Sequence, residues 1–223
     1  LLRDINLSIK KGNKALIVGT SGCGKSTLFY VLMRLLYPLK GNIFIQGKNY
    51  DDLAEKSIRE HFAVAFQEHH IFNLSIRDNF KMLYEDITDE EIYKSLENVY
   101  LLDFVNQVGL DYIVGNDGNK LSGGQKHRLQ LAICLAKQKD IILLDEPTAG
   151  LDIKTTNNIC SQLMEKYQKQ TMIVTSHDIS LLRFFDDIII CGEEKIIEQG
   201  NIKKLLLRED SYLNKLIRYK NFI

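Results

Sequence analysis

The chain contains 223 residues, of which 45% are hydrophobic, and its 29 basic residues balance 29 acidic residues. This length and composition exclude a disordered chain and favour one domain with room for a subdomain, and the balanced charge gives no indication of nucleic-acid or membrane-surface binding. The four cysteines are far apart and lack histidines at metal spacing, so we expect free thiols in a reducing compartment and no zinc site. The longest apolar runs fall short of the roughly 20 residues of a membrane helix, so we expect the chain to be soluble by itself.

The first part of the chain predicts a strand, a loop and a helix in succession. LLRDINLSIK (1–10) predicts the middle of an alternating strand and lacks an initiator Met, so we expect a piece of a longer polypeptide. KALIVG (14–19) predicts a short buried strand. After a glycine-rich loop, STLFYVLMRLLY (26–37) has the spacing and length of a helix.

The middle of the chain, residues 75–138, predicts a helical subdomain. Thr88 and Glu91 have the spacing of a capping box, and apolar residues follow at helical intervals.

The last part of the chain returns to strands. DIILLDEP (140–147) and TMIVTSHD (171–178) are apolar on both faces, as expected for parallel strands covered by helices, and residues 152–169 between them predict a helix. DIIICGEEKIIEQG (187–200) predicts two strands joined by a polar turn, and the following residues predict one or two terminal helices.

The glycine-rich loop GTSGCGKST (19–27) matches the P-loop pattern and has the required context of a preceding strand and a following helix. Its glycines let backbone N–H groups face phosphates, to which the helix N-terminus adds partial positive charge. Lys25 is expected to reach the β- and γ-phosphates, and Ser26 to bind Mg²⁺. The predicted nucleotide-binding residues here are Gly19, Thr20, Ser21, Gly22, Cys23, Gly24, Lys25, Ser26 and Thr27.

Further candidates lie at the ends of predicted strands. Asp145 and Glu146 follow a buried strand at the edge where open α/β sheets bind ligands, and they suit a Mg²⁺ ligand and the activation of an attacking water. His177 follows the next strand, where an imidazole can contact a γ-phosphate oxygen or orient water. Gln67 ends another apolar run and is a candidate sensor of Mg²⁺ or water. Taken alone, the acidic pair is also explained by solvation of a strand end, and Gln67 by a solvated turn. The remaining histidines are expected to have surface or packing roles: His61, His69, His70 and His127.

A second glycine pair occurs in LSGGQ (121–125). Ser122 can cap a helix with Gln125 three residues later, and the exposed N-terminus of that helix would attract an anion. When Ser-Gly-Gly is taken alone, an ordinary capped helix start is the preferred interpretation.

Together, GTSGCGKST, Gln67, LSGGQ, IILLDEP, AGLD (149–152) and SHD resemble, in this order, the nucleotide-binding domain of ATP-binding cassette (ABC) transporters. The resemblance extends over essentially the whole chain. It implies an α/β fold with a P-loop NTPase (RecA-like) core and a mainly parallel sheet at about 1–66 and 139–223. It also implies a helical subdomain carrying LSGGQ at about 67–138 and a short antiparallel β part.

The resemblance also implies that two such domains, identical or different, pair head to tail. LSGGQ (121–125), the signature segment of the family, would then close over the ATP held by the other domain. Ser122, Gly123 and Gly124 would contact the γ-phosphate in trans together with Gln125, and Asp152 would lie in the D-loop at the interface. The implied cofactors are ATP and Mg²⁺, with Glu146, His177 and Gln67 as catalytic residues and Ser26, Gln67 and Asp145 as metal ligands. A transmembrane domain is the other implied partner, with no nucleic acid and no zinc, and the expected location is the cytoplasmic side of the cell membrane.

The subtype that the sequence resembles is an exporter. HIFNLSIRDNF (70–80) and the Gly-x-x-Gly stretch Val114–Gly118 look like exporter segments. In exporters the second of these stretches touches the coupling helices. The C-terminal tail resembles that of exporters whose membrane domain precedes this domain. Three features depart from the exporter pattern: PTAGLD, Ile133, and the pair Lys126-His127. The aromatic residue that stacks on adenine in this family is expected to precede Leu1.

Two other functions compete with an ATPase that powers transport. A regulatory module that binds ATP without turnover commonly lacks the acid or the histidine, and both Glu146 and His177 are present. The ATPase head of a DNA-repair or chromosome-organising protein carries long coiled coils between its motifs, and the chain between Lys25 and Ser122 is too short for them.

Overall fold

The computed structural model describes residues 2–67, 71–192 and 194–220, and this part of the chain falls into two compact units. The first unit comprises Leu1–Phe62, Lys139–Glu146 and Lys169–Ile223, and the second comprises Ala63–Gln138 and Pro147–Gln168. Because the first unit is assembled from three separate stretches, it brings together residues that are far apart in the sequence.

Strands and helices alternate along much of the described chain. The strands are β1 (Lys14–Gly19), β2 (Phe44–Ile45), β3 (Lys48–Asn49), β4 (Phe62–Ala65), β5 (Ile141–Asp145), β6 (Thr171–Ser176), β7 (Asp187–Gly192) and β8 (Lys195–Asn201). The helices are α1 (Lys25–Leu32), α2 (Glu55–Glu60), α3 (Ile76–Lys81), α4 (Asp89–Glu97), α5 (Leu102–Val108), α6 (Gly123–Leu135), α7 (Ile153–Lys166), α8 (Ile202–Leu206) and α9 (Tyr212–Lys220). Short 3-10 turns occupy Tyr50–Asp52, Asn116–Gly118 and Ile179–Phe184.

The larger sheet has the strand order β4-β5-β6-β1-β7-β8. Strand β1 pairs in parallel with β6 and β7, β5 pairs in parallel with β6, and β8 runs antiparallel to β7. Strands β2 and β3 form a separate antiparallel pair. The predicted α/β fold with a mainly parallel sheet and a short antiparallel part is confirmed.

Strand β1 lies at the centre of the first unit. Its residues Ala15, Leu16 and Ile17 are fully buried, which is possible because the strand is apolar on both faces and paired on both sides. The carboxyl ends of β1, β5 and β6 share one edge of the sheet, since these strands are parallel. Polar residues that directly follow these strands are therefore neighbours.

Two predictions at the N-terminal end need correction. The described residues 2–11 include no strand, although their exposure alternates, so this segment does not pair in a sheet as predicted. Helix α1 ends at Leu32 rather than at Tyr37. It stops because Arg34 adopts a left-handed backbone conformation with φ of 56°, which a continuing α-helix does not allow.

The second unit contains α3 to α7, with a core that includes Phe80, Ile92, Leu96 and Leu129. Helix α4 begins with the predicted capping box, in which the Thr88 hydroxyl accepts from the Glu91 N–H and the Glu91 carboxylate accepts from the Thr88 N–H. Each contact satisfies a backbone donor that the first turn leaves unpaired.

The cysteines Cys23, Cys134, Cys160 and Cys191 are free and buried, as their spacing predicted. Of the described helices, none combines the length and the apolar character that crossing a membrane requires. The packing of both units therefore rests on noncovalent contacts alone in the described part of the chain.

Candidate functional site

The P-loop of the first unit connects the end of β1 to the start of α1. Helix α1 begins directly after Gly24, whose φ of 104° is readily adopted only by glycine. The Lys25 ammonium donates hydrogen bonds to the carbonyl oxygens of Gly19 at 3.0 Å and Thr20 at 3.2 Å. The side chain thus lies over its own loop, where a phosphate would offer a stronger, charged acceptor.

Gly19 is required by a close approach of the neighbouring strand. It is level with Cys191 in the parallel β1–β7 pair, and a Cβ atom at Gly19 would lie 2.5 Å from the Cys191 carbonyl oxygen. The same atom would lie 2.7 Å from the Cys23 sulfur. No larger residue fits here without displacing backbone.

Ser26 and Asp145 form a pair of adjacent oxygen donors. The Ser26 hydroxyl donates to Oδ2 of Asp145 at 2.7 Å, and Asp145 is only 4% exposed. Hard oxygen atoms of this kind are the ligands that Mg²⁺ prefers. No group of three His, Cys, Asp or Glu side chains converges as a metal site among the described residues.

Glu146 immediately follows β5 in a strained conformation with φ of 52°. Its N–H donates to Oγ1 of Thr175 at 3.0 Å and to the Thr175 carbonyl at 3.2 Å, which holds the residue in place. Its Oε2 lies 3.0 Å from Nδ1 of His177. The Glu146 side chain is 9% exposed and that of His177 is 73% exposed, so the pair extends from the protein interior to solvent.

Thr175 is a site residue that the sequence analysis missed. Its hydroxyl donates to Oδ1 of Asp145 and accepts the Glu146 N–H, so one buried side chain positions both acids. The available signal was a polar residue next to the end of a fully buried strand, TMIVTS. Threonine is common in strands, and this signal was therefore weak.

The signature segment belongs to the second unit. Ser122 caps α6 by accepting from the Gln125 N–H at 3.2 Å, and Oε1 of Gln125 accepts from the Ser122 N–H at 2.8 Å. Ser122 and Gly123 are exposed, and a Cβ atom at Gly123 would meet nothing within 4 Å. The 13-residue helix therefore presents an open N-terminus with partial positive charge.

Gln67 and Asp152 also belong to the second unit, and both are exposed. Gln67 lies two residues beyond the end of β4. Asp152 caps α7, accepting from the Thr155 N–H at 2.9 Å and from the Thr155 hydroxyl at 2.6 Å. These hydrogen bonds lower the pKa of the Asp152 carboxyl, because they stabilise its charged form.

The structure brings together five predicted residues within the first unit: Lys25, Ser26, Asp145, Glu146 and His177. Of the remaining histidines, His61 is half-buried with Nδ1 2.9 Å from the Asp140 carboxylate, and His127 is buried. His69 and His70 lie outside the described residues.

The family of the chain is shown by its similarity to known proteins. A family model described as ABC transporter matches residues 2–149, more than half of the chain. The chain belongs to the ABC transporter family. It is a nucleotide-binding domain of the exporter-like type, as the motifs predicted.

Individual ABC relatives agree with this assignment. The chain is 34% identical to the beta-(1→2)glucan export ATP-binding/permease protein NdvA of Agrobacterium vitis, over 92% of this chain and 35% of that protein. It is 34% identical to the ATP-dependent lipid A-core flippase of Haemophilus influenzae, over 95% of this chain and 36% of that protein.

A solved structure described as a bacterial Atm1-family ABC exporter with ATP bound matches with a TM-score of 0.91 at 30% identity. The match covers 98% of this chain and 38% of that one. The chain thus spans little more than a third of the length of the ABC proteins that it matches.

Proposed function

We propose that the chain binds Mg-ATP and hydrolyses it, and that this reaction powers transport by an exporter on the cytoplasmic side of the cell membrane. The observation that carries the proposal is the placement of the Glu146–His177 pair next to the Ser26–Asp145 pair at one sheet edge. These pairs supply a candidate base and a candidate metal site beside a phosphate-binding loop.

ATP binding is assigned to the residues of the P-loop. Backbone N–H groups of residues 19–27 and the N-terminus of α1 face the phosphates, and Lys25 exchanges its loop carbonyls for phosphate oxygens. Ser26 and Asp145 would hold Mg²⁺, and Gln67 is a further candidate ligand. When bound, the ion neutralises negative charge on the phosphate oxygens.

Hydrolysis is assigned to Glu146 and His177. The Glu146 carboxylate accepts a proton from a water molecule as the water oxygen attacks the γ-phosphorus, and the bond between this phosphorus and the bridging oxygen of ADP breaks. His177 donates from Nδ1 to the carboxylate and so fixes its orientation. The exposed imidazole of His177 is then available to contact the γ-phosphate, and Gln67 to orient the water.

The second unit is assigned to a partner's nucleotide. Ser122, Gly123, Gly124 and Gln125 at the open N-terminus of α6 contact the γ-phosphate held by another copy or a related domain. Asp152 lies at that interface. A transmembrane domain is the other partner, and residues 114–118 contact it. In this assignment, residues 1–66 and 139–223 are the ATP-binding core and residues 67–138 the helical subdomain.

The test uses the chain with Glu146→Gln, which removes the base and preserves the ATP-bound state. Molar mass is measured by light scattering after size exclusion, in Mg-ATP and in Mg-ADP, together with phosphate release by the wild-type chain. We expect a dimer in Mg-ATP alone, and Ser122→Arg abolishes it because the new side chain fills the anion site. A monomer that has demonstrably bound ATP contradicts a homodimer, and absence of phosphate release contradicts turnover.

A further inference from the structure

His127 connects α6, the signature helix, to residues 149–152, the segment that precedes the first residue of α7. The side chain is on the second turn of α6, is 5% exposed, and places Nδ1 3.1 Å from the carbonyl oxygen of Ala149. A carbonyl oxygen only accepts, so the hydrogen of this bond is on Nδ1. Both residues belong to the second unit, and the bond joins parts of it that are 22 residues apart in sequence.

Two further observations place the same face of α6 near this segment. A Cβ atom at Gly124 would lie 3.4 Å from Cδ2 of Leu151, so the Leu151 side chain lies beside this glycine. Burial lowers the pKa of Arg128, and the nearby charge of Asp152 acts in the opposite direction. Arg128 is itself anchored on the carbonyl oxygens of Gly124 and Tyr100.

The segment also has hydrogen bonds of its own. The Leu151 N–H donates to the Thr148 carbonyl at 3.2 Å, and Asp152 begins α7 as its cap. Gly150 between them has φ of 74° and open space where a Cβ atom would stand. The contacts from α6 add to these hydrogen bonds in positioning residues 149–152.

We propose that His127 is a positioning residue that locks residues 149–152 onto the signature helix, so that LSGGQ and Asp152 form one preorganised surface. This inference rests on the proposed function, in which that surface closes over a partner's ATP. A surface that is ordered before closure loses less conformational freedom when the partner binds. Loss of the lock then reduces productive closure without altering the P-loop that binds nucleotide.

The experiment compares the wild-type chain with His127→Ala, His127→Asn and the matched control His61→Asn. Asn at position 127 keeps an N–H donor near the position of Nδ1, whereas Ala removes it. Amide hydrogen exchange of residues 147–156 without nucleotide reports on the lock directly. Phosphate release gives kcat and KM, a fluorescent ATP analogue reports binding by the monomer, and thermal melting reports folding.

We expect faster exchange in residues 147–156 and a kcat reduced roughly tenfold or more in His127→Ala, since small misplacements remote from the chemistry cost up to about a hundredfold. Binding of the ATP analogue to the monomer stays within about twofold, and His127→Asn restores most of the exchange protection and kcat. His61→Asn behaves as the wild type.

Unchanged exchange in a folded His127→Ala variant overturns the inference, and so does failure of Asn to restore protection. If His127→Ala does not fold, hydrogen exchange of His127→Asn is compared with that of His127→Leu. A merely space-filling role of His127 predicts that Leu protects residues 147–156 better than Asn, and this result also overturns the inference. A wild-type chain without turnover overturns the proposed function instead, and hydrogen exchange still decides whether His127 holds the segment.

Discussion

Glu146 and His177 form a hydrogen-bonded pair in which Nδ1 of the histidine lies 3.0 Å from Oε2 of the glutamate. The carboxylate is almost completely buried, whereas most of the imidazole is exposed. A buried base that is oriented by an exposed donor can reach water at the sheet edge while its geometry stays fixed.

Glu146→Gln should lower kcat for ATP at least about a hundredfold, because an amide cannot take the proton of the attacking water. ATP binding should persist, since the P-loop is unchanged. Phosphate release and binding of a fluorescent ATP analogue check the two parts separately. The exposed Glu209→Gln is the matched control, and near-normal turnover by Glu146→Gln would exclude this residue as the base.

Thr175→Val should weaken both stability and turnover. The change removes the hydroxyl that donates to Asp145 and accepts from the Glu146 N–H, leaving buried polar atoms with fewer partners. We expect a loss of about 1–3 kcal/mol in the free energy of unfolding, measured in urea. Thr175→Ser keeps the hydroxyl and serves as the control. Equal stability of Val and Ser would mean that the hydroxyl does not position the acids.

Ser26→Ala should raise the Mg²⁺ concentration needed for turnover. The variant lacks the hydroxyl that lies 2.7 Å from Asp145, so the ion would lose one of its two adjacent oxygen ligands in the first unit. Titration of phosphate release with MgCl₂ at saturating ATP measures the shift. The exposed Ser8→Ala is the control. Coincident titration curves for Ser26→Ala and the wild type would remove Ser26 from the metal site.

The second unit should lose stability at alkaline pH. Burial raises the pKa of Cys134 and of Tyr167 to about 12, and it also raises the pKa of Tyr84. Because these pKa values are raised on folding, the unfolded chain loses its protons first, and the free energy of unfolding falls from pH about 9 to pH about 12. Urea midpoints measured across this range check the slope.

Tyr167→Phe removes one of the three groups with a raised pKa and tests its contribution to the alkaline loss of stability. At neutral pH it removes a hydrogen bond of 3.2 Å to the Leu135 carbonyl and should cost about 1 kcal/mol. Above pH 10 the difference from the wild type should shrink, because one ionisable group is gone. The exposed Tyr212→Phe is the control. A constant difference across the range would show that Tyr167 does not contribute to the alkaline slope.

The sequence identified most of the candidate site residues that the structure brings together in the first unit, because these residues lie in short contiguous motifs. Lys25 and Ser26 are fixed by P-loop spacing, and Asp145 and Glu146 by their place after a buried strand. Thr175 could not be found this way, since only the pairing of β5 with β6 brings it to the two acids. The contact of His127 with Ala149 depends in the same way on tertiary packing.

The errors at the N-terminal end have a related cause. The apolar run 26–37 continues the helical spacing, but the left-handed backbone at Arg34 ends α1 before Leu35 and Tyr37, which remain exposed. Periodicity reports which residues are apolar and not whether a face is available to cover them. The alternation in residues 1–10 was misleading for the same reason, because extended segments alternate in exposure without joining a sheet.

The left-handed backbone of Glu146 means that the residue that supplies the proposed base also lowers the stability of the fold. Glycine adopts φ of 52° freely, whereas a residue with a side chain stores strain of about 1–3 kcal/mol there. Selection for heat resistance alone would therefore favour Gly at position 146 and discard the proposed base. A thermostable variant of this chain should be assayed for phosphate release before its gain in melting temperature is taken as an improvement.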